Sequence, residues 1–131
     1  MKLIIAGSRS INDYDLIDKA ISFHHINVGD ITEVISGCAK GIDSLAIKWA
    51  ENHKIKVKQF PADWKNIKAK GAVVKENQYG KYNVLAGLTR NKQMGDYATH
   101  LLAIWDGESR GVKNMIEYME ELNKEFWVYE L

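Results

Sequence analysis

The sequence predicts an α/β protein: a Rossmann-like three-layer α/β/α sandwich around a five-stranded, mainly parallel sheet. Two observations carry this. Five short apolar runs bounded by glycine or polar clusters alternate with four stretches of helical periodicity, and such alternation packs as right-handed crossovers between parallel strands. The runs are also continuously apolar, as strands covered on both faces are, and do not alternate apolar with polar.

The first strand falls at residues 3–6, and the first helix follows through Leu16, Ile17, Ala20, Ile21 and His24. A second strand at 34–35 precedes a helix marked by Leu45, Ala46, Trp49 and Ala50. A third strand at 55–60 leads into an irregular stretch, 63–85, too long for an ordinary connection in such folds. The third helix carries Leu88, Asn91, Met94, Gly95 and Ala98, and a strand at 101–105 comes next. The last helix shows Val112, Met115, Ile116, Met119 and Leu122, ahead of a strand at 126–129. The 131 residues read as one domain, 1–131, with a lysine-rich insertion or lid at about 64–85.

Composition narrows the function classes. No apolar run approaches the roughly 18 residues that span a bilayer, and the opening "MKLIIAGSRS" is too short in its apolar part for a signal peptide. The expected location is the cytoplasm. One cysteine, Cys38, excludes an internal disulfide and a cysteine-cluster metal site. The histidines, His24, His25, His53 and His100, have no partner at ligand spacing, so the sequence assigns no metal and calls for no cofactor. A net charge of +1 argues against bulk attraction to nucleic acid.

In an open parallel sheet, ligands bind beyond the carboxyl ends of the strands, where strand order reverses. The segments leaving those ends are "GSRS" (7–10), "SGCAKG" (36–41), "PADW" (61–64) and "WDGESRG" (105–111), and three of the four combine glycine with a cation. The chain has fifteen lysines and three arginines; Arg9 and Arg110 lie in these loops and Arg90 opens the third helix. A guanidinium matches phosphate oxygens bidentately where an ammonium cannot, so the pattern points to a phosphate-bearing ligand. Named motifs do not apply: "GCAKG" lacks the GK[ST] ending of a P-loop, and no GxGxxG follows the first strand.

Five stretches in this order, "IIAGSR", "ISGCAKGIDSLAIKWAE", "FPADW", "GLTRNKQM" and "LLAIWDGESRGVKNMIEYM", resemble the small YspA-like, YpsA-related branch of the SLOG superfamily, which also holds DprA and the cytokinin-activating LOG phosphoribohydrolases. The resemblance implies a nucleotide or nucleotide-derived ligand held across the loops, as sensor, sequestering or processing domain. Matched position by position, it implies ligand contacts from Gly7, Ser8 and Arg9, from Gly37, Gly41 and Asp43, from Arg90 and Asn91, and from Gly107, Ser109, Arg110 and Gly111. Lys40 joins them from the reading of the loops. The LOG pattern PGGxGTxxE ends in a catalytic glutamate; setting its GT on Gly111 and Val112 puts Met115 there, and the proline and second glycine are absent. A thioether does no acid–base work, so the resemblance supports binding before catalysis.

Bland readings stand beside the functional ones. Asn91 ties loops together or touches ligand; Asp43 caps its helix or lines the site. Trp64 and Trp105 stack on a base or close the core. Cys38, beside a helix N-terminus and Lys40, is a thiol of lowered pKa or a small filler. Two alternatives remain open: a nucleotide hydrolase of non-LOG mechanism using Asp43, Asp106 or Glu108, and an interaction module contacting nucleic acid or protein through Lys65, Lys68, Lys70, Lys75 and Lys81 with Tyr79 and Tyr82. A homo-oligomer is also open, since the helices' outer sides offer no clear seam.

Overall fold

Strand order in the sheet reverses beside the first strand. A computed structural model of the protein describes residues 1–65, 68, 73–77, 80–83 and 85–131. Its main sheet holds β1 (Lys2–Gly7), β2 (Glu33–Ser36), β3 (Lys56–Gln59), β6 (His100–Trp105) and β7 (Glu125–Glu130), in the order β3-β2-β1-β6-β7. Every neighbouring pair is parallel. The helices are α1 (Asp15–Phe23), α2 (Ile42–Asn52), α3 (Ala86–Tyr97) and α4 (Arg110–Glu121). The expected fold class, with each expected strand and helix, is therefore present. The chain runs from β1 outward to β3, then returns across the sheet to β6, so the loops after β1 and β6 diverge and leave a crevice.

The central strands are apolar throughout because both faces are covered. Leu3 and Ile5 turn toward α1 and α2, packing with Ile17, Ala46 and Trp49; Ile4 and Ala6 turn toward α3 and α4, packing with Met94, Met115 and Met119. Trp49, fully buried, donates its indole N–H to Asp18 Oδ1 at 2.8 Å, tying α2 to α1. β3 departs from the expectation of strands covered on both faces: Lys56, Lys58 and Gln59 are exposed. It is an edge strand, and lysines there discourage pairing with another chain.

The irregular stretch holds structure of its own. β4 (Val74–Asn77) and β5 (Gly80–Asn83) pair antiparallel as a separate hairpin. Among the insertion's lysines, Lys65, Lys68 and Lys75 are exposed, whereas Lys70 and Tyr79 lie outside the described residues.

Two contacts set the position of α3. At its carboxyl end Lys124 Nζ donates to three carbonyls, Gly95 O at 2.7 Å, Ala98 O at 2.9 Å and Asp96 O at 3.1 Å, placing a cation where the helix dipole is negative. At the same Gly95, the helix faces α4 so closely that a Cβ would lie 2.5 Å from the Tyr118 ring and 3.2 Å from Met115 Cε. The far end of that ring is tied to α3 as well, since Tyr118 donates its hydroxyl to Asp96 Oδ1 at 2.6 Å. A Cβ on Gly111 would meet nothing within 4 Å. Gly95→Ala should therefore unfold at lower urea than Gly111→Ala, by about 1–3 kcal/mol, the usual cost of overpacking; equal midpoints would show that α3 and α4 part without cost.

Candidate functional site

The crevice contains a cavity of about 500 Å³, within the usual size for small-molecule sites. β1 delivers Gly7, Ser8 and Arg9 to its rim; α2 supplies Asp43, α3 supplies Arg90 and Asn91, and the turn before α4 supplies Asp106 and Ser109, followed by Gly111. Its floor is apolar, made by Ala6, Met94, Val112 and Met115. Met115, where the resemblance places a catalytic glutamate, is 1% exposed and belongs to that floor. Leu88, which periodicity assigns to the buried face of its helix, is instead 41% exposed at the cavity wall.

The loop glycines make room for neighbouring parts of the protein. A Cβ on Gly7 would lie 2.6 Å from both the Ile104 carbonyl and the Ile42 side chain, so β1 passes between β6 and α2 only as bare backbone. Gly41, at φ +72°, sits in the left-handed region that glycine tolerates and would place a Cβ 2.6 Å from the carbonyls of Ser8 and Arg9. Gly37 leaves its side-chain space to the Arg90 guanidinium and the Asp43 carboxylate.

That guanidinium bridges the crevice. Arg90 Nη1 donates to the Gly37 carbonyl across from α3, and Nε donates to Asn91 Oδ1 at 3.1 Å. Asn91, 6% exposed, donates Nδ2 to Gly111 O at 3.2 Å and to Asn114 Oδ1 at 3.0 Å. Its amide is thus occupied in joining α3 to the first turn of α4 while one face remains on the cavity.

Asp43 does not cap α2: the N-cap is Gly41, which has no side-chain capping bond, and Asp43 Oδ2 accepts from the Ala39 N–H in the preceding loop at 3.3 Å. Burial raises its carboxyl above the usual carboxylate range, against the opposing pull of Arg90, the N–H groups of Ala39 and Gly7, and Arg9. Asp106 behaves oppositely. Its Oδ1 accepts from the N–H of Glu108 and of Ser109, both at 2.9 Å, and those bonds hold its carboxyl below the usual range. Ser8, 2% exposed, accepts the Asp106 N–H at 3.4 Å on Oγ and so joins the two diverging loops.

A second cavity of about 380 Å³ adjoins the first and shares Arg9, Ala39, Trp64 and Arg90 with it. Gly37, Cys38 and Lys40 lie on its wall. The Trp64 ring stands between the two, with the Arg9 guanidinium 5.8 Å from its centroid. Trp105 is committed elsewhere, donating Nε1 to Ser109 O at 3.1 Å. Of the two readings of Cys38, the thiol of lowered pKa is not favoured: burial and the neighbouring Asp43 push the thiol up, outweighing the Phe60 N–H and Arg90. Its φ of +63° and a 3.4 Å contact from Sγ to Gln59 Oε1 describe a constrained loop residue.

Gly41, Gly107, Glu108 and Arg110 line neither cavity; Gly107, Glu108 and Arg110 face solvent on the turn into α4. Among the described residues no three His, Cys, Asp or Glu side chains stand where a metal ion could be held. No described helix is long and apolar enough to cross a membrane. Sequence reasoning passed over the floor residues Ala6 and Met94 as site components, and also Leu88, because each carries the same apolar periodicity as the core.

Among known families, the model of the YspA, cpYpsA-related SLOG family matches residues 1–66, which takes in β1 through β3 and both glycine loops that precede α1 and α2. No curated protein matches the chain.

The raised carboxyl of Asp43 has a consequence for stability. Its folded-state value lies above that of the unfolded chain, about 3.9, so the folded form binds more protons; its contribution to stability is full below that value and is lost as pH rises through the folded value. Asparagine cannot titrate. The stability of Asp43→Asn relative to the parent should therefore improve as pH rises above about 4, read as the difference in denaturation midpoint at each pH; a difference that falls with pH would place the carboxyl below the usual range instead.

Proposed function

The chain belongs to the YspA, cpYpsA-related SLOG family, and on that premise we propose that it binds a nucleotide or nucleotide-derived ligand in the crevice beyond β1 and β6, as a sensor, sequestering or processing domain. The observation that carries this reading is the pairing of two guanidinium groups, Arg9 and Arg90, with an apolar floor and an exposed leucine wall in one cavity. A nucleotide has both halves of that chemistry: a flat, weakly polar base and an anionic phosphate. Trp64, at the boundary between the cavities, offers a ring face for stacking.

Adenine and guanine mononucleotides should raise the thermal midpoint of the protein. Arg9→Ala should remove most of that shift, whereas Arg110→Ala, which alters an exposed side chain outside both cavities, should keep it. Absence of stabilisation by any nucleotide, or equal stabilisation of Arg9→Ala, counts against the reading.

Hydrolysis of the bound ligand is a second reading, favoured by one observation: Asp43 is a buried carboxyl on the cavity wall with its proton affinity raised, the property of a general acid. Incubation with nucleoside monophosphates should then release free base or phosphate, at a rate that falls to background in Asp43→Asn. Ligand recovered intact by chromatography leaves binding alone.

A further inference from the structure

The two adjoining cavities differ in charge in a way that orients the ligand. The second is lined by Arg9, Lys40 and Arg90, and no carboxylate occurs among the described residues on its wall. Neither Arg9 nor Lys40 forms a salt bridge among the described residues. Three cations around one small space repel one another, and an anion entering it relieves that repulsion. The first cavity carries two carboxylates, Asp43 and Asp106, beside its apolar floor. Asp106 is held in its charged form, so a phosphate dianion beside it meets a like charge.

The start of α4 is a poorer seat for an anion. A helix N-terminus attracts anions through its free N–H groups. Here Asp106 Oδ1 already accepts from Glu108 and Ser109, and Ser109 Oγ accepts from Val112. The turn supplies its own anion. Arg110 and Lys113, the cations of that first turn, line neither cavity.

We propose that the second cavity is the anion subsite: the phosphate of the ligand lies against Lys40, Arg9 and Arg90, and its neutral ring and hydroxyls lie in the first cavity over Met94 and Met115. The ligand class is then a molecule with one anionic end and one neutral, partly apolar end, such as a nucleoside 5′-phosphate. This orientation rests on the reading that a nucleotide occupies the crevice; the existence of the anion subsite does not.

The experiment compares the parent with Lys40→Ala and Asp106→Asn, using AMP, adenosine and inorganic pyrophosphate as probes in calorimetry and thermal shift. Lys40 is exposed, and an unchanged midpoint without probe verifies that its variant folds. Lys40→Ala should weaken AMP by about tenfold or more, the effect of losing one charge-assisted contact, abolish the pyrophosphate shift, and leave adenosine within about twofold. AMP binding that is unchanged in Lys40→Ala but tighter in Asp106→Asn puts the phosphate in the first cavity, overturning the orientation while leaving the nucleotide reading intact. Pyrophosphate binding lost in Lys40→Ala, with no binding of AMP or adenosine to the parent, supports the anion subsite and overturns the nucleotide reading. If no probe binds the parent, both fall.

Discussion

At Gly7 the last residue of β1 has the β6 backbone on one side and the first turn of α2 on the other, with no room for even a methyl group between them. The crevice depends on that closeness. Parallel strands β1 and β6 stay in register up to Gly7 and Ile104, and only beyond that point do their chains separate, one toward α1 and the other toward α4. Ser8 and Asp106 remain bonded just above the fork, so the loops diverge from a fixed base. A bulkier residue at this point would force α2 away from the sheet and carry Asp43 with it.

Above the fork, charge balance takes over from packing. Arg90 and Asp43 share the space that Gly37 leaves empty, and each disturbs the other: burial lowers the proton affinity of the guanidinium while Asp43 supports it, and burial raises that of the carboxyl while Arg90 opposes it. The two charges act on each other through space, while the bonds that fix them run to backbone and amide groups: Arg90 to the Gly37 carbonyl and to Asn91, and Asp43 to the Ala39 N–H. Because Arg90 bonds the Gly37 carbonyl, α3 and the β2–α2 loop are joined across the crevice by the side chain that also faces both cavities. One side chain thus both joins the elements and lines the two cavities.

The sheet and its helices were legible in the sequence because burial on both faces leaves a run of apolar residues, and burial on one face leaves a 3.6-residue period. β4 and β5 were not: a short hairpin in which Lys75, Glu76 and Lys81 take part has no apolar period to show. The gathering of Arg9, Asp43, Arg90 and Asn91 into one site follows from strand order and was readable once the parallel sheet was expected. The separate courses of Arg9 and Arg110 were not readable, since which way a loop side chain turns depends on contacts that no local pattern encodes. The glycines show a similar limit. Their spacing signals a tight loop, but only the geometry tells that Gly7, Gly37 and Gly41 make way for the protein's own carbonyls and side chains.

Lys124 gives the crevice a mechanical property. By gripping three carbonyls at the carboxyl end of α3, it fixes that end against the start of β7, while Arg90 and Asn91 tie the middle of the helix to its neighbours. The helix is thus anchored at its foot and again at mid-length, where Arg90 and Asn91 reach the β2–α2 loop and α4. The width of the crevice at Arg90 is therefore set from below as well as from across: a change at Lys124, far from either cavity, would reach the cavity wall through the axis of α3.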